Sequence, residues 1–258
     1  MTEKHSWINS FFGGEKDFYG NVYKTMGVFD RKDTEKEVDN ILNLLKPEQG
    51  SHILDWCGGW GRHAIPLAKR GFRITLLDFS ADYLERAKEY ARQEGVKITT
   101  VCSDFRYTPS DIQADYAVNL FTAGLGYLGE ENDVIALRSL LSALKPQARI
   151  LVDTMSLFWI AKNFKDNNWE EAPDGKKRYL QRRKVDFWTN TERAVNTYQD
   201  TETKTEDTVN IELKLYCPAD LSRALKTAGF MPRELFGSFD GSDFSFGSKR
   251  LVMTAQRP

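Results

Sequence analysis

Three carboxylates stand at comparable intervals in the first half of the chain, Asp55, Asp78 and Asp104, and each follows a short apolar run. Directly behind the first comes Cys57-Gly58-Gly59-Trp60-Gly61. Glycines let a backbone come close to a ligand, and a helix that starts after them offers unpaired N–H groups and a partial positive charge. An acid at the end of the next strand is positioned to accept from ribose hydroxyls. An acid near the end of a third strand can accept from an adenine amino group. Taken singly, each aspartate reads as an exposed cap before a helix. Three in phase with strand ends, beside a glycine turn, indicate a nucleoside-bearing ligand.

These residues need strands that end where they stand. His52–Trp56 reads as a buried strand, Phe72–Leu77 as a second that ends at Asp78, and Val96–Val101 as a third ending near Ser103–Asp104. Tyr116–Phe121 reads as the fourth and Arg149–Val152 as the fifth, ending at Asp153. Capping residues, apolar stripes and stop signals predict helices from Asp33 or Thr34 to Leu45, Trp60 to Arg70, Ser80 to about Glu94, and Leu128 to Leu144. Continuous apolar strands alternating with helices imply a parallel sheet covered on both faces, with ligands bound beyond the carboxyl ends of its strands.

After Asp153 a short helix is expected over Leu157–Phe164. The stretch from about Trp169 to Tyr216 alternates like strands exposed on one face. Pro218–Ala228 reads as a helix stopped by Gly229, and Phe230–Phe236 and Arg250–Ala255 as two closing strands. The expected fold is doubly wound α/β, a mostly parallel seven-stranded Rossmann-like sheet with an antiparallel β insertion after the fifth strand. Three parts follow: an aromatic arm over 1–32, a ligand-binding domain over 33–156 and 217–258, and the insertion over 157–216. The arm carries Trp7, Phe11, Phe12, Phe18, Tyr19, Tyr23 and Phe29, interrupted by Gly13, Gly14, Gly20 and Gly27. It either packs on the main domain or puts rings over the ligand, and the two readings are compatible.

A dinucleotide fingerprint would carry a third glycine where Arg62-His63-Ala64 stand, and Asp55 would repel a pyrophosphate. An acid there suits a ligand with an amino group, which favours S-adenosylmethionine over NAD. Ile53-Leu54-Asp55-Trp56-Cys57-Gly58-Gly59-Trp60-Gly61 resembles the first motif of class I S-adenosylmethionine-dependent methyltransferases. Leu76-Leu77-Asp78-Phe79-Ser80, Cys102-Ser103-Asp104-Phe105 and Asp115-Tyr116-Ala117-Val118-Asn119-Leu120-Phe121 resemble their ribose, adenine and fourth-strand segments. The resemblance covers about residues 35–155, and the closing elements fit it. Cys57 departs from a common glycine, and Trp56 and Trp60 are bulky enough to narrow the pocket.

The resemblance implies S-adenosylmethionine as cofactor and S-adenosylhomocysteine as product. It implies that Cys57, Gly58, Gly59 and Gly61 approach the methionine part and that Asp55 orients that loop or reaches the ammonium. Asp78 would take the ribose hydroxyls, Phe79 would pack on the adenine, and Ser103, Asp104 and Phe105 would border its edge. Asn119 and Leu120 would present carbonyls near the amino group, and Tyr19 is similar to a lid tyrosine. A sulfonium is an activated donor, so alignment and exclusion of water matter more than acid–base groups. Tyr127 borders the donor methyl or packs at a helix start. His63 packs or serves as general base. Asp153 faces substrate or caps the next helix.

The acceptor is expected to be a small molecule, methylated at N or O under the arm and insertion. RNA methylation through the basic run Lys176-Lys177-Arg178 to Arg182-Arg183-Lys184 is one alternative, although that run also reads as a solvated strand face. A protein that binds the cofactor without catalysis is another. A formal net charge of −1 gives no global attraction to nucleic acid or anionic membranes. The three cysteines have no disulfide or metal spacing, so no metal is expected. The first residues show no uninterrupted apolar run, so a cytoplasmic protein without membrane contact is expected, either monomer or homodimer.

Overall fold

Strands and helices alternate through the first two thirds of the chain because apolar residues occupy both faces of each strand and one stripe of each helix. The computed structural model describes residues 7–13, 17–25 and 31–258, with the side chains of 23–25 and 31–32 excepted. Gly14, Gly27, Phe29 and the ring of Tyr23 lie outside the described residues. The order begins α1 (Trp7–Phe11), α2 (Phe18–Thr25), α3 (Arg31–Leu45), β1 (His52–Trp56), α4 (Ala64–Lys69), β2 (Arg73–Asp78), α5 (Ala81–Gln93) and β3 (Thr99–Cys102). It continues with β4 (Ala114–Asn119), α6 (Glu130–Ser142), β5 (Leu144–Met155), α7 (Leu157–Asn163), β6 (Asn167–Glu171), β7 (Lys177–Asp186), β8 (Thr191–Asp200) and β9 (Thr205–Lys214). It closes with α8 (Pro218–Ala228), β10 (Met231–Phe236) and β11 (Arg250–Gln256).

The main sheet has seven strands in the order β10-β11-β5-β4-β1-β2-β3. All pairs are parallel except those of β11, which runs antiparallel to both neighbours. The strand order reverses at β1, flanked by β4 and β2, so a crevice opens there beyond the carboxyl ends. Successive residues feed opposite faces. Leu54 and Trp56 join a core with α6 and α8, whereas Ile53 joins one with α3, α4 and α5. Val38, Ile41 and Leu45 of α3 are fully buried, each contributing about 1.5–3 kcal/mol, while its outward face is charged.

Several boundaries differ from the sequence expectation, among them β4, which spans Ala114–Asn119 and not Tyr116–Phe121, and three have a clear local cause. Helix α4 begins at Ala64, not Trp60, because Gly59 and Gly61 take φ of 58° and 80°, which no right-handed helix admits. Strand β3 begins at Thr99 because the Val96 N–H closes the end of α5 by donating to the Ala91 carbonyl. The Lys145-Pro146 pair lies within β5, at a register irregularity against β4.

The second sheet is antiparallel, in the order β6-β7-β8-β9. Its Tyr179, Tyr198, Val209 and Ile211 pack against Phe11, Phe18 and Val22 of α1 and α2. Among the described residues no helix is long and apolar enough to cross a membrane.

Candidate active site

At the crevice beyond β1 and β4 lies a largely apolar cavity of about 1150 Å³, counting its open mouth. Of the residues singled out from the sequence, Tyr19, Asp55, Cys57, Gly58, Gly59, His63, Asp78, Phe79, Ser103, Asp104, Phe105, Leu120 and Tyr127 line this cavity. Gly61 and Asn119 do not.

The glycine turn is bonded to β2, since the N–H groups of Cys57 and Gly58 both donate to the Leu77 carbonyl. A Cβ on Gly58 would lie 2.5 Å from the Asp55 carboxyl carbon and 2.2 Å from Leu76. Only glycine fits between the turn and the acid. Asp55 is buried, and its Oδ2 has no hydrogen-bond partner among the described residues. Burial, and then the charge of Asp78, push its carboxyl up to about 7. Asp78 accepts from the Gly59 N–H with Oδ2 and from the Ser80 N–H with Oδ1, both at 2.9 Å. Burial nevertheless raises it to about 6. An acidic, orphaned oxygen at the end of β1 fits an ammonium group, and an acid bridging the turn to α5 retains lone pairs for hydroxyls.

Asp104 caps the turn that follows β3 and is held by Arg106 at 2.6 Å. Its carboxylate therefore reaches the cavity already paired. Trp56 does not narrow the cavity: it is fully buried, donates to Thr108 Oγ1 at 2.9 Å and packs on Phe105. Trp60 does line it. Asn119 sits behind the wall and donates to the carbonyls of Trp56 and Ala123, tying β1 to the loop after β4.

That loop is strained. Phe121 and Thr122 have φ of 59° and 61°, rare for any non-glycine and costly for a β-branched residue. Asp153 holds it in place. Its Oδ2 accepts from the Phe121 N–H at 2.7 Å and its carbonyl from the Thr122 N–H. Arg250 from β11 grips the same carboxylate through two bonds of 2.6 and 2.7 Å and also donates to Thr122. Asp153 thus neither faces substrate nor caps α7, which is capped by Ser156. The sequence carried no signal for Arg250, because the ion pair joins positions 97 residues apart.

His63 is buried beside Phe121, with Nε2 3.1 Å from Glu37 on α3. Arg62 also binds Glu37, at 2.5 Å. Burial, with help from Arg62, pushes His63 down to about 4, so it is neutral at physiological pH. Glu37 was not legible as a site residue, since it reads as one more polar position of an amphipathic helix. Tyr127 meets Phe12 edge-on at 5.1 Å and Trp7 at 5.8 Å.

The loop bearing Tyr127 is fastened from behind. Asp133 accepts from the Gly126 N–H at 2.8 Å and from the Tyr216 hydroxyl at 2.6 Å. The Gly126 carbonyl accepts from the Lys214 N–H of β9. From sequence Asp133 looks like an ordinary acid in the first turn of α6. Its burial instead raises the carboxyl to about 7, so the folded state binds its proton more tightly than the unfolded chain. Stability from this group is therefore expected to fall as pH rises from about 4 to 7 and then to level off. Denaturant titrations of Asp133→Asn across that range should show a flatter profile, and identical slopes would contradict the assignment.

None of the cavity-lining residues comes from the second sheet, which instead backs α1 and α2. The basic run on β7 is mostly neutralised: Lys176 pairs with Glu202, Lys177 with Asp200, Arg178 with Glu171 and Arg183 with Glu192.

Comparison with known proteins points in one direction. A family profile described as a methyltransferase domain matches residues 53–147. The putative methyltransferase YqeM of Bacillus subtilis is 28% identical over 223 residues, 82% of this chain and 85% of that one. The tRNA 5-carboxymethoxyuridine methyltransferase of Escherichia coli is 30% identical over 132 residues, 50% of this chain and 49% of that one. Among solved structures, an S-adenosylmethionine-dependent methyltransferase from Clostridium acetobutylicum superposes with a TM-score of 0.77 at 14% identity, covering 93% of this chain and 98% of that one. An amino pentose methyltransferase from Micromonospora echinaspora, with S-adenosylmethionine bound, gives 0.69 at 18% identity, covering 93% and 97%.

Proposed function

We propose, from the premise that this chain is a class I S-adenosylmethionine-dependent methyltransferase, that its methyl acceptor is a small molecule taking the methyl group at nitrogen or oxygen. S-adenosylmethionine is its cofactor and S-adenosylhomocysteine its product. One observation carries the acceptor reading: Ile8 of α1, Phe12 just after it and Tyr19 of α2 line the cavity together with Tyr127. An acceptor reaching the methyl position would pass beneath these side chains, which suits a compact molecule better than a base within folded RNA. We further propose that the second sheet acts as a cap through the helices it supports.

Within this reading the orphaned Asp55 oxygen would hold the ammonium, Asp78 the ribose hydroxyls, and Phe79, Ser103, Asp104 and Phe105 the adenine. Tyr127 would border the methyl. His63, neutral and held by Glu37, would orient the wall of the cavity and not act as an acid. Because the ammonium needs an ionised Asp55, affinity for S-adenosylmethionine is expected to rise several-fold per unit up to about pH 7 and then to level off. Isothermal titration between pH 5.5 and 7.5 tests this, with a shallower profile expected for Asp55→Asn, in which only Asp78 still titrates.

The acceptor class is tested by incubating the purified chain with methyl-labelled S-adenosylmethionine and either a small-metabolite extract or total tRNA. Label is expected in the metabolite fraction. RNA is the second reading, which some relatives' activities favour. The neutralised run on β7 supports it poorly, and label in the tRNA alone would replace our reading with it.

A further inference from the structure

The roof of the cavity is a continuous row of aromatic rings. Tyr83 meets Trp60 edge-on at 5.2 Å, Trp60 lies 6.1 Å from Tyr19, Tyr19 lies 5.1 Å from Phe12, and Phe12 lies 5.1 Å from Tyr127. All five rings line the cavity. They come from four separate places in the chain, namely α1–α2, the glycine turn, α5 and the loop before α6, so the row exists only in the fold. Aromatic faces attract cations within roughly 6 Å of the ring centre, and the attraction grows where water is excluded.

The charges of the cavity have the same sense. Among the described residues lining it, Asp55, Asp78 and Asp104 are carboxylates, and neither Asp55 nor Asp78 takes part in an ion pair. Arg62, the permanent cation of the wall, is engaged by Glu37 at 2.5 Å and lies over the Phe121 ring. His63 is neutral, as burial dictates. The cavity therefore accommodates positive charge and is poorly suited to an oxyanion.

From this juxtaposition we infer that the acceptor is an amine on an apolar body, methylated at nitrogen beneath the rings of Phe12, Tyr19 and Tyr127, since the Arg86 guanidinium already lies over Trp60 and Tyr83 at 5.0 and 5.5 Å. The inference rests on the small-molecule reading and narrows it. The amine, bound as its ammonium, first releases a proton to water; in the transfer its freed lone pair forms a bond to the methyl carbon while the sulfur–carbon bond breaks and that electron pair stays on sulfur. The positive charge passes from sulfur to nitrogen, and the ammonium later releases a proton to water. One cation is present before and after, so the aromatic roof serves both states. Methylation of a phenolate or carboxylate would instead leave the roof without a cation after transfer.

The test uses the full chain with labelled S-adenosylmethionine and matched aryl-alkyl acceptors bearing an amine, a phenol or a carboxylate, with total tRNA as a fourth arm. The amine is expected to be methylated at least tenfold faster than its matched partners. In parallel, the amine and its neutral carbon isostere are titrated into the chain saturated with S-adenosylhomocysteine. The amine is expected to bind at least fivefold more tightly in wild type and in Tyr127→Phe, and with that preference lost in Tyr127→Leu. Faster methylation of the phenol or carboxylate overturns the inference while leaving the small-molecule reading standing. Equal binding of amine and isostere, or transfer to none of the three, also overturns it. Transfer to tRNA alone removes the reading itself.

Discussion

Asp78→Ala is expected to weaken S-adenosylmethionine binding by roughly two to three orders of magnitude, on the order of 3–4 kcal/mol. The side chain does two things at once. Its oxygens satisfy the Gly59 and Ser80 N–H groups at 2.9 Å, which fixes the glycine turn against the start of α5. Its remaining lone pairs face the cavity that it lines. Truncation leaves two backbone donors without acceptors, each costing about 1–3 kcal/mol where water cannot reach, and under the proposed role removes charged bonds to ribose worth about 1.5–3 kcal/mol. Part of this loss falls on the turn in the free protein, so affinity does not fall by the full sum. Asp78→Asn keeps one acceptor and should lie between the two. Isothermal titration measures the constants and circular dichroism checks the fold. A dissociation constant within threefold of wild type for a folded Asp78→Ala variant would exclude the role.

Arg250→Leu should be the most destabilising exposed-to-buried charge removal in the main sheet. Asp153 is fully buried, and Arg250 supplies its ionic partner across the β5–β11 pair. Leaving a buried carboxylate without its cation costs about 3–5 kcal/mol. For a chain of this size that corresponds to a fall of roughly 6–20 °C in melting temperature. Activity should fall further than stability explains, because the same carboxylate holds Phe121, and Arg250 itself donates to Thr122, in the left-handed loop along the cavity wall. Arg250→Lys keeps the charge without the two-pronged grip and should recover stability more than methyl transfer. Scanning calorimetry combined with cofactor titration separates the two effects. A melting temperature within 2 °C of wild type for Arg250→Leu would contradict the structural account.

Much of the fold was legible in the residues themselves. β1 spans His52–Trp56, α8 spans Pro218–Ala228, and Ser80 caps α5, all as the local chemistry indicated. Each of these signals is confined to a few neighbours: an apolar run, a proline at a helix start, a hydroxyl facing the next turn. Errors arose where a competing local bond decided the boundary. Positive φ at Gly59 and Gly61 delayed α4, and the Val96 N–H was used to close α5.

The candidate site divides along the same line. Asp55, Asp78, Asp104 and the glycine turn were visible from sequence because a parallel sheet brings strand ends together, so a feature repeated at strand ends must converge. Glu37, Asp133, Tyr216 and Arg250 were not visible, because each acts through a partner far away in the chain. The same holds for the aromatic side of the cavity. Sequence could mark Phe12, Tyr19, Trp60, Tyr83 and Tyr127 as aromatic, but their joining into one roof depends on α1 and α2 being pressed down by the second sheet. By itself the sequence therefore determined the parallel sheet and the carboxylates and glycine turn of the cavity, where chemistry follows from local spacing. The tertiary structure alone decided the aromatic side of the cavity, because packing between distant elements assigns those rings to a common space.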